Sequence, residues 1–275
     1  MVYLVRLWKV KRMASERIVA ITFVCVALAS CGRTSEPANF AEAPVNATAF
    51  EVPGVSLPSG VVIGEGRAWI SATNLDNADR LVRAVNASSS STGLVAVRVR
   101  VAPGSQTRPW TDPGYLGARE SIGVAGIDVL RERWLQSFAG DADVLSPVSE
   151  PLNSQRPERR DSPGSVLIVR TDRLADVPAV LGWSPYGSDL TPAEVSSVLR
   201  MWEDSLGWSL LELSRSALEL KGSFPSTAPE QERLKVVAQI MSFSPGMYSA
   251  RASLVEADRD LVEFSDSLYF TFDAA

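Results

Sequence analysis

A chain of 275 residues with no histidine and two cysteines, Cys25 and Cys31, lacks the material for Ser-His-Asp or Cys-His catalysis, for the usual zinc sites, and for a ready-made general base near neutral pH. Its 27 basic and 32 acidic residues give a formal charge of −5. Removal of the first thirty residues, which hold five of the basic and one of the acidic groups, leaves 22 against 31 and a charge of −9, a body repelled by nucleic acid and by anionic lipid headgroups.

The first element in the chain is a leader. Arg6, Lys9, Lys11, Arg12 and Arg17 precede the apolar run Ile18 to Ala29, which at a dozen residues is shorter than the roughly 20 needed to cross a bilayer. The run ends on Leu28-Ala29-Ser30-Cys31, which reads as a lipoprotein cleavage site: residues 1–30 form a removable signal, and the freed Cys31 carries the lipid. A start at Met13 would keep the whole device. The expected partner is therefore the lipid bilayer through acylated Cys31, and the expected location is the extracytoplasmic face of the cell membrane. With Cys25 removed and Cys31 acylated, neither a disulfide nor a thiol nucleophile remains. Lys221 and Lys235 are the lysines of the mature chain, and neither has a serine three positions before it, so the Ser-x-x-Lys arrangement is missing.

Residues 31–53, rich in Ala, Pro, Glu, Asn and Thr, read as a flexible tether. A first folded segment spans 54–146. Val61 to Ile63 and Arg67 to Ser71 read as strands, Asp76 to Asn86 as a helix, and Ser88 to Gly93 as a loop. Val95, Val97, Val99 and Val101 alternate with Ala96, Arg98 and Arg100, which predicts a half-buried strand with the arginines on its polar face. A helix follows from Ile127 to Phe138, with Gly140 as its stop. Asp141 and Asp143 read as a solvated turn, since the rest of a calcium loop is missing.

Residues 147–164 interleave Pro147, Pro151, Pro157 and Pro163 with Arg156, Glu158, Arg159, Arg160 and Asp161, the composition of a linker. The second segment, 165–275, opens on Val166-Leu167-Ile168-Val169, an apolar run suited to a central strand covered on both faces. Thr191, Pro192 and Glu194 begin a helix that Gly207 stops, with Val195, Val198, Leu199, Trp202 and Leu206 on one stripe. Strands over Leu210 to Leu213 and Ala217 to Lys221 follow. Boxes at Thr227 to Glu230 and Ser253 to Glu256 start two further helices, and Leu268 to Phe272 closes the chain as a strand. Strands mixed with helices predict an α/β or α+β fold, a mixed sheet with packed helices built from two segments.

Chemistry is thinly signalled. Trp202-Glu203-Asp204, with Trp183 and Trp208 near in sequence, places carboxylates beside aromatics, as glycan hydrolysis and glycan binding both require. The competing reading is structural: Trp202 lies on the apolar stripe, and adjacent helical carboxylates point about 100° apart. Arg108-Pro109-Trp110 offers a cation beside an aromatic for ligand capture, or else a loop contact. Glu219 and Asp273 read as outward polar positions. Gly64-Glu65-Gly66 lacks the third glycine of a dinucleotide fingerprint, and neither a Walker motif nor Gly-x-Ser-x-Gly occurs. The sequence calls for no cofactor and no metal.

Several separated motifs resemble the bacterial family known as domain of unknown function 4253. They are Val177-Pro178-Ala179-Val180-Leu181-Gly182-Trp183, Leu199-Arg200-Met201-Trp202-Glu203-Asp204 with Gly207, Leu218-Glu219-Leu220, and Tyr269-Phe270-Thr271-Phe272-Asp273. Thr92-Gly93-Leu94, Arg108-Pro109-Trp110 and Arg131-Glu132-Arg133-Trp134 extend the resemblance upstream, to most of 55–275. Trp183-Ser184 and Ser244-Pro245-Gly246 depart from the family's Trp-Asn pair and Cys-Pro-Asp stretch. The family implies no activity. The leading expectation is a non-enzymatic lipoprotein serving as a binding or interaction module. The alternatives are a carboxylate-dependent hydrolase of envelope polysaccharide and, by analogy, an immunity-like protein.

Overall fold

The computed structural model describes residues 50–100, 116–138, 142–149, 151–152, 163–247, 253–264 and 268–272. The leader with Leu28, Ala29, Ser30 and Cys31, the pair Arg108 and Trp110, and Asp141 and Asp273 lie outside the described residues.

Short β-branched and aromatic runs form the first two strands, β1 (Gly60–Ile63) and β2 (Ala68–Ser71), joined by a 3-10 turn in which Glu65 takes the left-handed conformation at φ 57°. Helix α1 (Ala78–Asn86) buries Ala78, Leu81, Val82 and Val85 on one stripe. The expected loop after it is instead one helical turn, α2 (Ser89–Thr92), closed by Gly93 at φ 63°. Then come β3 (Leu94–Val99), α3 (Gly126–Ser137), β4 (Ser165–Arg170) and the short α4 (Val177–Leu181). The chain continues through α5 (Pro192–Leu206), β5 (Ser209–Leu213), β6 (Ala217–Lys221), α6 (Glu230–Phe243), α7 (Leu254–Phe264) and β7 (Leu268–Thr271).

These strands make one mixed seven-stranded sheet in the order β1-β2-β4-β3-β5-β6-β7, an α/β architecture with helices packed on it. All neighbours are antiparallel except β3 and β5, which meet in parallel with Arg98 opposite Glu212 and Val99 opposite Leu213. Strand β4 comes from the second sequence segment yet lies between β2 and β3 of the first, so residues 54–146 and 165–275 share one sheet and are not separate bodies. The physical reason is in β4 itself. Val166 to Val169 are buried, so both backbone edges need hydrogen-bonding partners, and β2 and β3 supply them.

Two cores flank the sheet. Val95, Val97 and Val99 join the larger one with Val198, Leu199, Trp202, Val237 and Phe270. Leu94 and Ala96 join the smaller one with Trp69, Ile168 and the apolar stripe of α1. The expectation of a half-buried β3 is therefore corrected: every residue of the strand is buried, Arg98 included, because α1 covers the face that alternation had assigned to water.

Helix boundaries follow the capping chemistry where the geometry allows it. The Thr191 hydroxyl accepts from the Glu194 amide while the Glu194 carboxylate accepts from the Thr191 amide, and Gly207 at φ 67° ends α5. Ser253 and Glu256 repeat the exchange at α7. The box expected at Thr227 does not form. Pro229 occupies the N-cap of α6, and the helix begins at Glu230.

Gly182 explains the glycine of the Val177 to Trp183 motif. It ends α4 at φ 69°, and a Cβ there would stand 2.4 Å from the Ala118 carbonyl oxygen. The segment 117–120 runs against α4 at this point, with the Gly117 amide donating to Leu181 O and the Glu120 amide to Ala179 O, both at 3.0 Å. Arg67 reinforces the contact by donating to the carbonyls of Gly64, Val180 and Gly117 at 2.7, 2.8 and 3.0 Å. Gly182→Ala is expected to cost about 2–4 kcal/mol, from left-handed strain plus the backbone collision, read as a lower urea midpoint at unchanged slope.

Candidate functional site

The strongest concentration of ionisable groups lies where the sheet changes from antiparallel to parallel pairing. Arg98 points to the same side of β3 as Leu94 and Ala96, under α1, and the first turn of that helix carries Asp79. Parallel pairing sets Glu212 of β5 opposite Arg98, and antiparallel pairing sets Glu219 of β6 opposite Glu212. The guanidinium of Arg98 thus donates to three carboxylates from three elements: through Nη1 to Asp79 Oδ1 at 2.7 Å, through Nε to Glu212 Oε2, and through Nη2 to Glu219 Oε2 at 3.4 Å. Its stem packs over Gly164, where a Cβ would meet Arg98 Cγ at 2.7 Å.

Arg100, just beyond β3, stands with Nε 2.6 Å from Glu212 Oε1, and its guanidinium lies 5.6 Å from the centre of the Tyr269 ring. That approach is an ion pair without hydrogen-bond alignment, so Glu212 Oε1 is a buried acceptor without a hydrogen bond. Burial pushes the Glu212 carboxyl above the usual carboxylate range, against the opposing pull of Arg98 and Arg100. Arg98, Glu212 and Glu219 have side-chain exposures of 1–3 %, so the cluster binds its own members across the seam. The expectation that Glu219 points outward is corrected by its burial. The sequence signal for this site was present. Charges of opposite sign, Arg98 on one side and Glu212 and Glu219 on the other, interrupt strands whose interior positions are otherwise apolar.

The tryptophans of the Trp202 constellation are core residues. Trp183, Trp202 and Trp208 are at most 1 % exposed. Trp202 stacks on Phe270 and meets Trp208 and Phe243 edge-on, with centroids 5.0–5.5 Å apart. Each indole N–H is satisfied internally: Trp183 donates to Ser214 O, Trp202 to Gln239 Oε1 and Trp208 to Ser223 O. Glu203 and Asp204 do remain at the surface of α5, where a single guanidinium bridges them, Arg173 donating to Glu203 at 2.8 Å and to Asp204 at 2.7 Å. The fold therefore separates the aromatics from the carboxylates, and the arrangement a glycan platform needs is not assembled here.

A shallow groove of about 470 Å³ runs between residues 122–127 and α5, lined by Ile122, Val124, Ile127, Pro147 and Met201, with Arg200 at its rim. Arg200 is engaged there by Asp176, through Nη2 to Oδ2 at 2.7 Å. Elsewhere the fold brings Ser149 to Lys235, a juxtaposition that sequence spacing did not reveal. Lys235 Nζ donates to Ser149 Oγ at 3.2 Å and to Glu232 Oε1 at 2.7 Å, while Ser149 donates to Glu232 from both its amide and its hydroxyl at 2.9 Å. The hydrogen bond from Lys235 holds the Glu232 carboxyl below its ordinary range. An ammonium held this way has no lone pair to take a serine proton, so the trio fastens residues 142–149 to α6 and does not form a nucleophile. Among the described residues, no group of three or more His, Cys, Asp or Glu side chains is arranged to hold a metal ion.

The class defined by this geometry is a mixed-sheet α/β module closed by a buried ion cluster. Residues 165–273 match the family described as Domain of unknown function (DUF4253). No curated protein and no solved structure matches the chain. The matched stretch begins at β4 and runs through β7, so it contains Glu212 and Glu219, whereas Asp79 and Arg98 lie upstream of it.

Proposed function

We propose that this protein is a lipid-anchored extracytoplasmic lipoprotein whose folded body acts as a non-enzymatic binding or interaction module. The observation that carries the reading is the order of features in the chain: a basic leader, a dozen apolar residues, Leu28-Ala29-Ser30-Cys31, and then a described body that begins at Phe50. Nineteen steps of chain between Cys31 and Phe50 span at most about 65 Å, room for the body to stand clear of headgroups. More than one acyl chain suffices for stable anchoring, at roughly 0.8 kcal/mol per buried methylene. No described helix is long and apolar enough to cross a membrane.

The binding half of the proposal draws support from how the ionisable groups are used. The clusters at Arg98, Arg173 and Lys235 are internal ties, while Tyr186, 58 % exposed beneath the Arg215 guanidinium at 4.2 Å, presents the residue types that dominate recognition surfaces.

Replacing the Cys31 thiol by a hydroxyl tests the anchor. Cys31→Ser is expected to abolish incorporation of radiolabelled fatty acid and to shift the protein out of the sedimented membrane fraction. Continued membrane fractionation with maturation to the same mass would overturn the anchor. Turnover of envelope polysaccharide by the purified protein, lost in Glu203→Gln, would overturn the non-enzymatic half.

A further inference from the structure

The buried seam contains a conflict that one proton would resolve. Glu212 and Glu219 are direct cross-strand neighbours on the same face of the β5–β6 ladder, and like charges so placed oppose each other, the more so without water. The described groups facing Glu212 are Asp79 from α1, Arg98 from β3 with Arg100 just after it, Glu219 from β6, and Tyr269 from β7 by way of Arg100. Arg80 and Arg83 of α1 and Lys221 of β6 are exposed. Glu212 Oε2 is taken by Arg98, and Oε1, ion-paired to Arg100 at 2.6 Å but buried without an aligned donor, is the oxygen at which a proton would add.

We propose that this seam is an acid-responsive latch: uptake of one proton at Glu212 removes the cost of holding its charge in a dry joint and, with it, the smaller opposition of Glu219, and this gain exceeds the weakened attraction to Arg98 and Arg100, so the body is firmer in mild acid than at alkaline pH. The proposal is independent of the lipid anchor. The sign follows from linkage. Burial raises the Glu212 carboxyl above 4.5, so the folded state holds this proton more tightly than the unfolded chain does. The added stability is complete below the ordinary value and is lost as pH rises through the raised one. Glu232 is held below its ordinary range by the hydrogen bond from Lys235, and Glu256 by hydrogen bonds from Ser253, so both stay charged between pH 5 and pH 8.

The test is thermal unfolding of the full chain in detergent at pH 5 to 8, comparing wild type with Glu212→Gln and Glu219→Gln. Wild type is expected to gain at least about 2–4 °C in Tm as pH falls across this window, the shift for about one kcal/mol in a protein of this size. Gln imitates the protonated acid, so Glu212→Gln is expected to melt at or above wild type at pH 8 with a flat profile, and Glu219→Gln to show a reduced slope. An unchanged slope in either variant overturns the latch. So does a Glu212→Gln protein that melts below wild type at pH 8 or fails to fold.

Discussion

Produced without residues 1–164, the stretch 165–275 is expected to show no cooperative melt by far-ultraviolet circular dichroism and to elute as an expanded or aggregated species, while the full chain unfolds cooperatively. Both neighbours of β4 lie upstream. Strand β3 pairs with it over the whole of Ser165–Arg170, and β2 pairs with it from Leu167 to Val169. Without them, Val166, Leu167, Ile168 and Val169 lose their cover at about 1.5–3 kcal/mol each, set against about 5–15 kcal/mol for the stability of a whole domain. Strand β5 would also lose its parallel neighbour, and Glu212 and Glu219 would lose Arg98. A fragment that melts cooperatively near the full chain's temperature would show that the sheet closes without β3. The boundary of the matched family at residue 165 is therefore a boundary of sequence likeness and not of the folded unit.

Arg98→Ala is expected to destabilise the full chain by about 3–5 kcal/mol at neutral pH, the range for breaking a buried ion pair from one side. Three carboxylates of α1, β5 and β6 converge on this one guanidinium. Its removal leaves them facing one another, and the cost of holding them ionised rises steeply in a dry seam. The sign of the pH dependence is fixed by that geometry. Carboxyl groups that take up protons more readily in the folded state recover stability as pH falls, so the deficit is expected to be largest near neutrality and to shrink towards pH 5. Urea unfolding of wild type and variant at two pH values measures it, and a deficit below about 1 kcal/mol at neutral pH would show that the cluster contributes little net stability.

Helices with local signals were legible in the sequence. The Thr191 and Ser253 boxes and the stop at Gly207 need only residues within one turn of each other, and the structure places them where the spacing did. Thr227 had the same spacing but carries Pro229 inside the box, and the fixed ring moves the helix start to Glu230. The Arg98 site was half legible. Alternation put Arg98 on the opposite face from the valines, which is correct, and assigned that face to water, which is not. What occupies the second face of a strand depends on a helix and two strands distant in sequence, and β-strand periodicity carries no information about them.

By itself the sequence determined the class of the fold, most element positions and the absence of histidine-based chemistry, because each depends on composition or on neighbours within a few residues. The tertiary structure decided which strands pair, placing β4 between β2 and β3, and through that pairing which polar side chains are buried. It put Trp202 in the core, as the apolar stripe of α5 required and not on a binding surface, and it moved Glu219 from an expected outward position onto Arg98, where Glu212 joins it. The reason is that burial belongs to the assembled layers. A side chain 114 residues away along the chain, as Glu212 is from Arg98, becomes a hydrogen-bonding partner only when the sheet has closed.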